Sequence, residues 1–409
     1  MAESFRFLHT SNLHLDRPVG GLVEVPQHLK HVLIDAPLRA AEQVFDAAII
    51  ENVDFVLLCG DVLQPQLAGP RVISFLLDQL ERLQQEEIAV YWIGGEDDQQ
   101  QQWPESVPLP SCVYRFPHRI EEVSHFRGES AIATLIGQSY NGRRQVRPAD
   151  FRSDSPGAYA IGLAYGEIEP TSLNGIATID YWALGGRRPR KVLSIEANAV
   201  AQFPGAPQGR QPEEAGQHGC TVVEVSEEGT TRTQMIPTDV VRWRDETISL
   251  QPDADEDDLR KQLQDRVQAI VTDAGDRPVL VDWTIQCGGG LAAQLRGEKL
   301  AAETVEWLRK KYGHHAPAVW TGSLTIGLPD RLPTHWYEED TIRGDFLRAA
   351  RRIQQQEESI LDLSSLLSEK HQAGTLSAAA DMHYIDSPDR ILREAAVLGA
   401  DLLGGGRDA

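Results

Sequence analysis

The run DFVLLCGD, residues 54–61, decides the fold. Five apolar side chains in a row, closed by Gly60 and Asp61, mark a short strand covered on both faces. Residues 5–10 read as a strand before it, and AVYWI at residues 89–93 as a strand after it. Between them lie two helical patterns. Residues 36–51 place Leu38, Ala41, Val44, Phe45 and Ala48 on one face, and residues 72–86 do the same with Val72, Phe75, Leu76 and Leu80. Strand and helix in strict alternation predict parallel strands joined by crossover helices. Ligand-handling residues of such a sheet belong on the loops after the strands' carboxyl ends. Here those loops are residues 10–16, 60–64 and 94–98.

Farther out, strands are expected at residues 131–137, 158–164, 181–184, 192–195, 200–203 and 221–225, with few helices between. They predict a second sheet stacked on the first, a β-sandwich flanked by helices over residues 1–245. Residues 246–330 open on an acidic run, 253–258, and then alternate helix (259–272), strand (278–285), helix (301–312) and strand (318–326). This is the pattern of a small α+β capping domain. Residues 331–409 read as a helical tail. Phe346, Ala350, Ile353, Ile360 and Leu367 form a stripe interrupted by Glu357 and Ser364, and a last helix spans residues 389–403. The stripe fits packing in cis or docking on a partner helix.

The 409 residues carry 39 Lys and Arg against 61 Asp and Glu, a formal charge of −22. An average field of that sign excludes a generic polybasic nucleic-acid binder or a membrane-surface protein. Basic side chains concentrate in two places, Arg143-Arg144-x-x-Arg147 and Arg187-Arg188-x-Arg190-Lys191. Both follow expected strands of the sandwich, where a rim contacting DNA phosphates would lie. Cys59, Cys112, Cys220 and Cys287 show no zinc spacing and read as reduced thiols. No secretory signal and no apolar run of about 18 residues is present. Together these point to a cytoplasmic protein with no membrane association.

The loops carry a resemblance. SNLHLD at residues 11–16 resembles the opening D-x-H motif of the calcineurin-like metallophosphoesterases, and Gly60-Asp61 their G-D motif. GEDD at residues 95–98 stands where the family has G-N-H-D. IGLAYG at residues 161–166 matches a strand that ends in His, and YWALGGRR at residues 181–188 the strand that ends in G-H-x-H. FPGAPQGR at residues 203–210 and EAGQHGC at residues 214–220 resemble a segment of the DNA-repair exonuclease branch, whose nuclease subunits work with long coiled-coil ATPases. The resemblance covers roughly residues 5–245. It implies the four-layered α/β sandwich of that family, two bound divalent metals bridged by the G-D aspartate, and homodimers built on early helices.

The ligand positions depart from the family almost throughout. Asn12 replaces the first aspartate, Glu96 the asparagine and Asp97 the catalytic histidine. Tyr165 replaces the strand-end histidine, and Gly186 and Arg188 replace the final pair. Only His14 and Asp61 are retained. Gly186 has no ligand atom, and a guanidinium has no lone pair to give a metal. At about 4 Å and an effective dielectric near 20, one unit charge meets another with about 4 kcal/mol. Arg188 therefore repels a cation, and it is expected to pair, with Arg187, to Asp61 or Glu96.

No catalytic residue and no cofactor are then expected. Weak metal binding would use His14, Asp61 and Glu96, and a manganese-like ion would accompany any surviving activity. Asp97 and Asp98 read as a solvated acidic loop, Tyr165 as core or rim, and Arg210 with Glu214 as a local ion pair. The leading expectation is a non-catalytic scaffold subunit that binds a coiled-coil ATPase, with DNA as a further partner. Two alternatives stay open: an active one-metal exonuclease or phosphodiesterase, and a protein-interaction module without DNA binding.

Overall fold

A computed structural model describes residues 3–152, 159–173, 179–193, 199–251, 254–297, 299–327, 332–355 and 388–404. They fall into two compact units, Met1–Arg244 with Asp276–Leu280, and Asp245–Gly275 with Val281–Ala409.

The first unit is an α/β sandwich of two six-stranded sheets. Sheet one holds β1 (Phe5–Thr10), β2 (Phe55–Cys59), β3 (Ala89–Ile93), β4 (Val113–Phe116), β11 (Gly219–Val225) and β12 (Thr231–Pro237), in the order β12-β11-β1-β2-β3-β4. Sheet two holds β5 (Glu121–Arg127), β6 (Ser130–Gln138), β7 (Tyr159–Tyr165), β8 (Tyr181–Gly185), β9 (Lys191–Leu193) and β10 (Val200–Phe203), in the order β5-β6-β7-β8-β10-β9. The two-residue period of a strand assigns each apolar side chain to a layer. Phe7, Phe55, Leu57 and Cys59 point inward and meet Leu135, Ile161, Leu163, Tyr181 and Ala183 of sheet two. Their neighbours Leu8, Val56 and Leu58 point outward onto α1 (Lys30–Ile50) and α2 (Pro70–Gln85). The outer face of sheet two, with Ile136, Trp182 and Leu184, is covered by Val146, Phe151, Leu173 and Ile179 from short 3-10 turns and loops.

Two expectations are corrected. The strand at 221–225 belongs to sheet one, antiparallel to β1 with Phe5 opposite Val225, and not to the second sheet. Val223 and Val225 thereby enter the inner core while Cys220 and Val222 reach the helix side. The first helix begins at Lys30 rather than 36, with Pro37 inside it. A proline suits the first turn of a helix, so Pro37 imitates a start.

In the second unit a three-stranded sheet, β13 (Arg242–Ser249), β14 (Val279–Gln286) and β15 (Val319–Gly327), accompanies α3 (Glu256–Ala274), α4 (Gly289–Arg296) and α5 (Lys299–Tyr312). α3 opens on a capping box, in which Asp255 and Asp258 each bond the other's backbone N–H. α6 (Ile342–Gln354) and α7 (Pro388–Gly404) pack together through Leu347, Ala396 and Ala400, over Trp336. This packing is in cis. Ile360 and Leu367 of the expected stripe, with Glu357 and Ser364, lie outside the described residues, as does Asp253 of the acidic run.

Candidate functional site

β1, β2 and β3 run parallel, as do β7 and β8, so their carboxyl ends collect five loops at one edge of the sandwich. The sheets close on each other there. A Cβ on Gly185 would stand 1.7 Å from the Cys59 carbonyl oxygen, so only glycine fits. Among the described residues five non-glycine positions have positive φ, and three are at this edge: Asn12 (56°), His14 (42°) and Asp61 (54°). Left-handed backbone costs L-residues of order 1–3 kcal/mol each and concentrates at functional sites. The surroundings hold it in place: Asn12 N–H donates to the Gly60 carbonyl and His14 N–H to the Asp61 carbonyl, at 2.9 and 3.0 Å.

Asp98 organises the loops. It is fully buried. Its Oδ1 accepts from the N–H groups of Asp61 and Gly95, and its Oδ2 from Val62 N–H and the Trp92 indole, at 2.6–3.2 Å. The expected solvated loop is therefore a structural hub at this residue, because the backbone donors left at the ends of β2 and β3 need a buried acceptor.

Asp61 sits above that hub. Tyr165 donates its hydroxyl to Asp61 Oδ2 at 2.6 Å, and Asp97 N–H donates to Oδ1 at 3.1 Å. Burial, with the Asp98 charge beside it, raises the Asp61 carboxyl to about 7. His14 is 3% exposed, and burial lowers its pKa against the opposing pull of Asp97. Its Nδ1 lies 3.3 Å from Asp97 Oδ2, near enough for charge pairing but not aligned as a hydrogen bond. Its Nε2 has no partner either. Asp97 also receives Arg17 Nη2 at 2.8 Å, and His14 and then Arg17 lower its pKa.

The other half is closed by internal bonds. Arg144 grips Glu96 through Nε and Nη2, at 3.0 and 3.2 Å. Asn12 turns its amide to Ser11 Oγ and the Arg187 carbonyl. The pairing expected of Arg188 with Asp61 or Glu96 does not form. Arg188 Nη1 meets Glu214 Oε1 at 2.9 Å, since Ala206 N–H fixes the Arg188 carbonyl and turns this segment toward the 205–214 loop. Glu214 uses its other oxygen on the backbone N–H of Arg210, so the expected Arg210–Glu214 side-chain pair is also replaced. Arg143, Arg147, Arg187, Arg190 and Lys191 are exposed. Arg144 is not free for DNA while it holds Glu96.

Among the described residues one set of side chains fits a divalent metal. One donor atom each from His14, Asp61 and Asp97 lies within 4.8 Å of the others, and the unpartnered His14 Nε2 is the orphaned atom such an ion would explain. Glu96 is outside this trio, and Asp97 takes the place expected for it. Arg17, which reaches Asp97, was missed by the sequence reading; an arginine directly after the HLD of residues 14–16 was its only signal.

No family model matches the chain. A curated protein of Bacillus subtilis (strain 168), the uncharacterized metallophosphoesterase YhaO, is 31% identical over 245 residues. The match covers 55% of this chain and 59% of that protein, so it spans about three-fifths of the relative's length. It supports the metallophosphoesterase family. Among the described residues no helix is long and apolar enough to cross a membrane.

Proposed function

We propose that this chain is a metallophosphoesterase homologue that has given up two-metal phosphodiester cleavage and works as a scaffold subunit. The carrying observation is the closed half of the site, where Tyr165 occupies Asp61 and Arg144 occupies Glu96. In-line displacement by two metals needs donors on both sides of a bridging carboxylate. Here one side offers His14, Asp61 and Asp97, while the other offers a phenol that donates, a glycine and bound guanidinium groups. The trio would hold a single divalent cation, which when bound would polarise a phosphoryl oxygen or a water. The Tyr165 hydroxyl bond keeps Asp61 turned to that trio, and Arg17 competes with a cation for Asp97.

The partner reading rests on the resemblance of residues 203–220 to the nuclease subunits that work with coiled-coil ATPases. The exposed Arg143, Arg147, Arg187, Arg190 and Lys191 give DNA a rim in an otherwise acidic chain. The test is a manganese-dependent assay on linear duplex DNA and on a small phosphodiester. No turnover above a metal blank is expected. Cleavage that is abolished by Asp61→Ala would establish the one-metal enzyme instead.

A further inference from the structure

Arg210 is 5% exposed, and its Nε and Nη2 have no hydrogen-bond partner. Buried N–H donors left without an acceptor are destabilising, so this position is short of one. Its surroundings define what is missing. The Arg210 carbonyl accepts Gly20 N–H, and Arg17 N–H, three residues earlier, bonds the His14 carbonyl. The loop that carries His14 therefore runs along Arg210. Glu214 ties Arg188 to the Arg210 backbone through its two oxygens. The fields of Arg188 and Arg17 act on Arg210, and burial with those charges pushes its pKa down to about 10. The side chains of Arg17 and Arg188 are 36% and 38% exposed, so the cluster opens to solvent through them.

The acids nearby are already committed. Asp97 is taken by Arg17, Glu214 by Arg188 and the Arg210 backbone, and Asp16 by Gln64 N–H with Arg17 Nε at 3.8 Å. Three guanidinium groups thus face three carboxylates, yet Nε and Nη2 of Arg210 still lack acceptors. A cation supplies no acceptor and is repelled by the arginines. The oxygens of a phosphate group do supply them, in the geometry that suits a guanidinium fork.

We propose that Arg210, Arg17 and Arg188 form a binding site for a phosphate group, borne by a nucleotide or a nucleic acid, beside His14 at the former metal edge. The site deepens the scaffold reading, on which it rests only in holding that the phosphate is gripped and not cut. Binding is therefore measured in EDTA, where a failure of the cleavage reading has no influence.

The experiment titrates inorganic phosphate into the full chain, with calorimetry and melting temperature as readouts. One phosphate per chain is expected. Arg210→Gln should weaken binding at least about tenfold, the loss of one charge-assisted contact. Arg210→Lys should recover part of that loss. Arg17→Ala and Arg188→Ala, on partly exposed positions that leave the fold intact, should each weaken binding several-fold. Competition by a nucleoside monophosphate and by duplex DNA then tells a free from a chain phosphate. Absence of phosphate binding at millimolar concentration overturns the proposal, as does an affinity unchanged in both Arg17→Ala and Arg188→Ala.

Discussion

The two halves of the loop edge share a backbone plan and differ in chemistry. On one side His14 and Asp61 keep left-handed backbone, an orphaned imidazole nitrogen and a carboxyl raised to about 7 by burial. On the other, Glu96, Tyr165 and Arg188 are each tied into an internal bond. Loop geometry depends on main-chain hydrogen bonds and on Asp98, none of which needs a metal. Ligand chemistry depends on single side chains at the loop tips, which can change without disturbing the sheets. The fold can therefore stay intact while the side chains at its loop tips change.

Breaking the shared plan should have the largest effect. Asp98→Ala leaves four buried donors without an acceptor, at about 1–3 kcal/mol each. A loss of at least about 4 kcal/mol in denaturant unfolding is expected. If stability changes by less than about 1 kcal/mol, Asp98 is no hub.

The open half should show itself in pH dependence. An unfolded Asp61 titrates near 3.8, and the folded one near 7. Below the unfolded value both states are protonated. Between the two values the unfolded chain has ionised while the native carboxyl keeps its proton, so stability is lost progressively up to about pH 7, by about 4 kcal/mol in all, and no more is lost above it. The fall in melting temperature of metal-free protein between pH 5 and 8 should flatten in Asp61→Asn. The slope is the readout, not the absolute value. An unchanged slope would place the titration elsewhere.

The closed half should respond weakly. Tyr165→Phe removes one hydroxyl bond to Asp61 and should cost about 1–2 kcal/mol at pH 7. It should also raise the Asp61 carboxyl further, because that bond lowers it. Arg144→Ala removes an exposed ion pair, and its unfolding should match wild type within error. A large effect of Arg144→Ala on folding would mean that the closed half supports the fold.

The sandwich was readable because buried parallel strands write continuous apolar runs, as in DFVLLCGD. β4, β5 and β12 escaped because they are short or lie at sheet edges, where one face meets water and the apolar pattern fades. At the site, the replaced ligands could be read from motif positions, but their new partners could not. Which acid Arg188 meets depends on how the chain turns after Gly186, and no local spacing encodes that. Asp98 shows the same gap, since two of its donors, the N–H groups of Asp61 and Val62, are distant in the chain, and no spacing marks the Gly95 N–H or the Trp92 indole as the other two.

The most direct test of the account is the stoichiometry of manganese binding, measured by calorimetry at neutral pH on protein freed of metal. An open half and a closed half predict no more than one ion per chain, lost in His14→Ala. Two ions bound at micromolar affinity would contradict that account, because the second would have to displace the bonds of Tyr165 and Arg144.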